Sequence, residues 1–112
     1  MNIQIFGTKK CKETAKALRF FKERRIEPHF VNLAEKPVSK GELNAIAARI
    51  PLAELIDRDG KEYEKQNLKY IQHDITDKLL EYPLLFRTPI VRCGQDCTIG
   101  YQPDVWMKWI AD

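Results

Sequence analysis

Cys11 stands between Lys10 and Lys12 in the stretch "IQIFGTKKCKETAKALRFF". A cysteine that opens a helix meets the free N–H groups of its first turn, which together carry roughly half a positive charge. That field favours thiolate over thiol, and thiols so placed commonly titrate at ~3.5–7.5 rather than ~8.5. The neighbouring cations of Lys10 and Lys12 add to it. The competing reading is a small residue buried at a helix cap. Thr14 follows Cys11 by three residues, where a C-x-x-C dithiol would place its second sulfur. No disulfide can close there, so an adduct on Cys11 must be resolved by Cys93, by Cys97 or by a thiol from outside.

Other residues suit the same chemistry. Arg58, Arg87 and Arg92 are the arginines in the second half of the chain. A planar guanidinium matches an oxyanion or a carboxylate, although each arginine also reads as a solvated surface charge. Arg92 is expected to point away down its strand. Pro89 lacks an N–H and belongs at a strand start or in a special turn. The three cysteines and two histidines match no common zinc spacing, so no metal is expected.

The totals set bounds. A chain of 112 residues is one domain, with a core of ordinary size. Nineteen Lys and Arg against sixteen Asp and Glu give a net charge of +3, with both signs interleaved. A nucleic-acid binder with a basic stripe would be more lopsided, so no direct nucleic-acid contact is expected. No apolar run approaches the ~20 residues of a membrane span. The N-terminus lacks the pattern of a signal peptide, and a cytoplasmic protein with reduced thiols is the expectation.

The elements that would position Cys11 follow from periodicity. "NIQIF" alternates and reads as a strand ending at Gly7, and a helix runs from Cys11 or Lys12 to about Arg25. Its apolar stripe is read as Ala15, Leu18 and Phe21, with Ala17 and Phe20 beside them. "PHFVNL" supplies a second strand, parallel to the first. From about 38 to 85 strand signals thin out. Ser39 and Glu42 form a capping box before Leu43, Ile46, Ala47 and Ile50, Pro51 interrupts, and Asp74 caps a helix reaching Tyr82. Ile90-Val91 and Cys97-Thr98-Ile99 flank the turn "GQD" as a hairpin across which the two cysteines can face each other. Pro103 starts a last helix with Val105, Trp106, Trp109 and Ile110 on one side. The expected fold is α/β: β-α-β, a helical insert over about 38–85, then β-β-α, with a four-stranded mixed sheet in one domain, 1–112.

That order is the order of the thioredoxin fold. With "IFGTKKCKETAKALRFFKERRIEPHFVNL", "SKGEL", "DRDGKEYEK", "YPLLFRTPIV" and "IGYQPDVW", the chain resembles the arsenate reductase (ArsC/Spx) family over nearly its whole length. The resemblance implies that Cys11 is a nucleophile that forms a mixed disulfide with glutathione or a protein thiol. It places Pro89 on a cis-proline that abuts the cysteine, leaving the backbone of Thr88 to receive a substrate. Cys93 then lies ~13 Å along the strand, at ~3.3 Å per residue, which points to an external thiol as the resolver. Arg58 falls within one residue of an insert arginine common in the family, and Lys10, Lys12, Thr14 and Arg87 complete the expected substrate site. Glutathione-dependent arsenate reductases carry an arginine where Thr88 stands, and each lost charge-assisted hydrogen bond costs ~1.5–3 kcal/mol. A monothiol reductase acting on an oxidised or mixed-disulfide substrate is therefore expected rather than arsenate turnover. The enzyme would act as a monomer, with glutathione as co-substrate and no bound cofactor. The alternative implied by the regulator branch is an Spx-like protein that binds the RNA polymerase α subunit.

Overall fold

The computed structural model describes residues 1–111; Asp112, the last residue of the expected domain, lies outside the described residues. The chain divides into two units, one of Met1–Asn32 with the segment from Thr88 onward, the other of Leu33–Arg87.

The first unit holds the sheet. Its strands are β1 (Ile3–Gly7), β2 (His29–Asn32), β3 (Ile90–Cys93) and β4 (Asp96–Ile99), in the order β2-β1-β3-β4. β1 and β2 are parallel, and the other pairs are antiparallel. Side chains alternate across the sheet, so Ile3 and Ile5 share a face with their partners Cys93 and Val91. Those residues pack against Ala17, Phe20 and Phe21 of α1 (Lys12–Glu23) and Trp106 of the C-terminal helix, Pro103–Ala111. Each fully buried Ile or Phe contributes ~1.5–3 kcal/mol of transfer free energy.

Helix α1 differs in detail from its expected face. Ala15 is exposed, and the buried residues are Thr14, Ala17, Phe20 and Phe21. The inward stripe is thus turned by one residue, and it brings a hydroxyl inside. The helix ends in a Schellman motif: Arg25 takes φ 61°, its N–H donates to the Lys22 carbonyl, and the Ile26 N–H donates to that of Phe21. Ile26 then packs on the core cluster, which offsets the ~1–2 kcal/mol of a left-handed non-glycine residue.

The hairpin also departs from expectation. Cys93 pairs with Asp96 and Arg92 with Cys97, so the loop is Gly94-Gln95 rather than "GQD". Cys93 and Cys97 consequently project to opposite faces and do not face each other. Gly94 takes φ 61°, the positive value that two-residue hairpin turns demand at their first position.

The second unit is mostly helical. It contains α2 (Lys40–Ala47), α3 (Leu52–Leu55), α4 (Lys61–Lys65) and α5 (Ile75–Glu81), and the C-terminal helix of the first unit becomes α6. The capping box forms: Ser39 Oγ accepts from the Glu42 N–H at 3.1 Å, and Glu42 Oε1 accepts from the Ser39 N–H at 2.9 Å. Asp74 caps α5 through the Asp77 N–H at 3.0 Å. A short antiparallel ladder, invisible in the apolar pattern, ties the middle of this unit to its C-terminal end. Ile56 bridges Phe86, the Asp57 N–H donates to Leu85, and the Arg87 N–H donates to Leu55.

Candidate active site

Cys11 occupies the N-cap of α1, with extended backbone (φ −78°, ψ 116°) and its carbonyl accepting the Ala15 N–H at 3.1 Å. β1 ends at Gly7, and the Cys11 N–H donates to Thr8, so a tight turn delivers the sulfur to the helix mouth. The half-buried thiol points its S–H at the Thr88 carbonyl, 3.7 Å away. The Thr88–Pro89 peptide bond is cis, and β3 begins at the next residue.

Burial of the sulfur pushes its pKa up and is the largest single influence. The hydroxyls of Thr14 and Thr88 and the backbone N–H groups of Thr14 and Glu13 outweigh it together and hold the thiol below its usual value. These backbone donors belong to the second and third helical residues, the pair that an N-cap acceptor ordinarily satisfies. The neutral thiol makes no capping hydrogen bond. The Thr14 hydroxyl is likewise completely buried without a partner. Both observations have one reading: the donors are arranged for an anion, and they gain an acceptor when the sulfur ionises. Lys10 and Lys12, expected to share in this, are solvent-exposed, and neither charge is among the causes of the shift. Water screens them.

Cys93 behaves oppositely. Burial, and then the charge of Asp96, pushes its pKa up. It pairs with Ile3, at the end of β1 away from Gly7 and Cys11. Arg58 and Arg87 belong to the second unit and are exposed. Arg58 Nη1 donates to the Ala53 carbonyl at 3.1 Å. The ladder sets Arg87 opposite Leu55 and leaves Arg58 beyond Asp57 at its other end, so the two arginines do not form a pair. Sequence reasoning did not single out Glu13, whose backbone N–H faces the sulfur, or Gly7, whose bare α-carbon makes room for Thr14. The first was readable from the N-cap position; the second depends on how β1 and α1 pack.

The ArsC family model matches residues 6–109. The chain belongs to the ArsC family. Over 111 residues it is 28% identical to the uncharacterized protein YusI of Bacillus subtilis (strain 168), covering 93% of this chain and 94% of YusI. Its fold is similar to that of the arsenate reductase from Vibrio cholerae, with a TM-score of 0.81 and 21% identity over 96% of this chain and 97% of that one. It is more distantly similar to a glutaredoxin from Archaeoglobus fulgidus, with a TM-score of 0.51 and 13% identity over 99% and 87% of the two chains. The ArsC-family chain thus carries the thioredoxin-like architecture expected of it. Among the described residues no helix is long and apolar enough to cross a membrane.

Proposed function

We propose that this ArsC-family protein is a monothiol oxidoreductase that reduces mixed disulfides with glutathione as co-substrate. One observation carries the reading: Cys11 sits where four hydrogen-bond donors hold its thiol below the ordinary range, with no second cysteine one helical turn on. The Cys11 thiolate attacks the glutathione sulfur of a mixed disulfide. The substrate S–S bond breaks, and the departing substrate thiolate takes a proton. A second glutathione's thiolate then attacks the glutathione sulfur of the Cys11 adduct, releasing glutathione disulfide and restoring the Cys11 thiolate as the leaving group. One glutathione is consumed for each mixed disulfide reduced, and the electrons balance.

In this reading the cis-proline turn supplies the receiving edge. The Thr88 carbonyl, now bonded to the S–H, is the backbone acceptor that an incoming peptide-like substrate would meet. Lys10 and Lys12, exposed on either side of Cys11, are proposed to steer its anionic groups. A glutathione-rich cytoplasm is the setting such a cycle needs.

Mass spectrometry after exposure to oxidised glutathione tests the assignment. A single adduct on Cys11, removed by reduced glutathione, together with turnover of a glutathionylated peptide that is lost in Cys11→Ser, is the expected result. An adduct confined to Cys93 or Cys97, or turnover unchanged in Cys11→Ser, overturns it.

A further inference from the structure

The end of the sheet remote from Cys11 carries a second polar constellation. β1 runs from Ile3 toward Gly7 and Cys11, so Gln4 lies near its far end. The register sets Gln4 beside His29 of β2 and Arg92 of β3 at one level. Lateral partners share a sheet face. This is the face opposite Ile3 and Ile5, hence not the one packed under α1 and α6.

Arg92 is half-buried, and its Nη1 donates to Gln4 Oε1 at 3.0 Å. Among the described residues it has no carboxylate partner. A guanidinium carries five N–H donors in a rigid fork, and one amide oxygen satisfies only one of them. With Asn2, Gln4, Glu27, His29 and Gly94, Arg92 lines a cavity of ≈ 420 Å³. A β-carbon on Gly94 would meet nothing within 4 Å, so this rim is open.

The charges select the ligand. The lining side chains offer one permanent cation, Arg92, and one carboxylate, Glu27, and the two do not neutralise each other by direct contact. A phosphate or other multiply charged anion gains from one and is repelled by the other. A molecule with both signs satisfies each. Arg92 projects from β3, and Glu27 lies two residues before His29, the β2 residue level with it; two strand spacings of ~4.8 Å and two residues of ~3.3 Å put the two backbones ~12 Å apart. That span equals three to four extended residues, at about 3.3–3.6 Å each. The geometry points to a site for a peptide-sized zwitterion, its carboxylate on the Arg92 guanidinium and its ammonium on Glu27, with Asn2 and Gln4 amides between. The site is independent of Cys11 and of the proposed redox cycle.

Two-dimensional amide NMR of the full chain tests it, with triglycine, N-acetyltriglycine, triglycine amide and inorganic phosphate as probes. Triglycine is expected to give saturable shifts at Gln4, His29 and Gly94. Each blocked analogue is expected to bind about tenfold more weakly, as loss of one charge-assisted contact implies. Arg92→Gln should abolish the triglycine response. Glu27→Gln, at an exposed position that leaves the fold intact, should make N-acetyltriglycine as good a ligand as triglycine. Absence of saturable shifts, equal binding of all three peptides, or a stronger response to phosphate overturns the inference.

Discussion

The side chain of Thr14 fills the space that a β-carbon on Gly7 would need. Such an atom would lie 2.5 Å from Thr14 Cγ2 and nearer still to Oγ1. Thr14 is wholly buried and β-branched, so it cannot swing aside. Gly7→Ala must push β1 and α1 apart, costing about 1–3 kcal/mol in urea unfolding. It should also slow alkylation of Cys11 at neutral pH, because the displaced hydroxyl no longer serves the sulfur. Destabilisation with unaltered alkylation would count against the Thr14 donor.

Thr14→Val separates stability from reactivity. The hydroxyl is buried without a partner in the thiol state, a condition that costs about 1–3 kcal/mol, so its replacement by a methyl should raise the urea midpoint. The same change removes a donor from the thiolate. A hydrogen bond worth ~1.4 kcal/mol corresponds to about a tenfold slower iodoacetamide reaction near neutrality. A variant that is both less stable and equally reactive would contradict the arrangement described.

The two titrating cysteines predict opposite pH behaviour. Cys11 has a lowered pKa when folded, so between that value and the usual 9.0 the unfolded chain holds the extra proton. The contribution of Cys11 to stability therefore grows as pH rises through this window and is lost as pH falls through the folded pKa. Cys93, raised by burial and by Asp96, works against folding once pH passes 9.0. Urea melts of wild type and Cys11→Ser should differ in slope below pH 9.0 and run parallel well below the folded pKa. Peptide mapping after brief alkylation near neutrality should find Cys11 labelled before Cys93, and the reverse order would refute the assignment.

Trp106 holds the helices to the sheet. It is completely buried, stacks edge-on with Phe20 at 5.3 Å and Tyr101 at 5.5 Å, and donates its ring N–H to Thr98 Oγ1 at 2.8 Å. Trp106→Ala should cost about 3–5 kcal/mol in chemical unfolding. Thr98→Val, which leaves the ring in place but strands its N–H, should cost about 1–3 kcal/mol. If Thr98→Val proves neutral, the hydrogen bond contributes nothing net.

Much of this was legible in local sequence. The strand that ends at Gly7, the capping box at Ser39, the Asp74 cap and the final helix with Trp106 inward all follow from patterns spanning a few residues, and the structure has them. The shortfalls came where partners are distant. Ala15 looked inward by period alone, but packing turned α1 so that Thr14 faces the interior. Cys93 and Cys97 looked opposed across a three-residue turn, and the register with β1 and β4 separated them. Lysines beside Cys11 looked electrostatically important, yet their flexible stems leave the charges in water.

The sequence by itself determined that one cysteine opens a helix with no second thiol a turn later, because N-cap position and spacing are properties of neighbouring residues. Only the tertiary structure decided what surrounds the sulfur. It drew the Thr88 carbonyl across 77 residues of chain, and it sealed the Thr14 hydroxyl beneath a glycine with no other acceptor to serve. Burial and long-range donors set the ionisation of a thiol, and no local pattern encodes either.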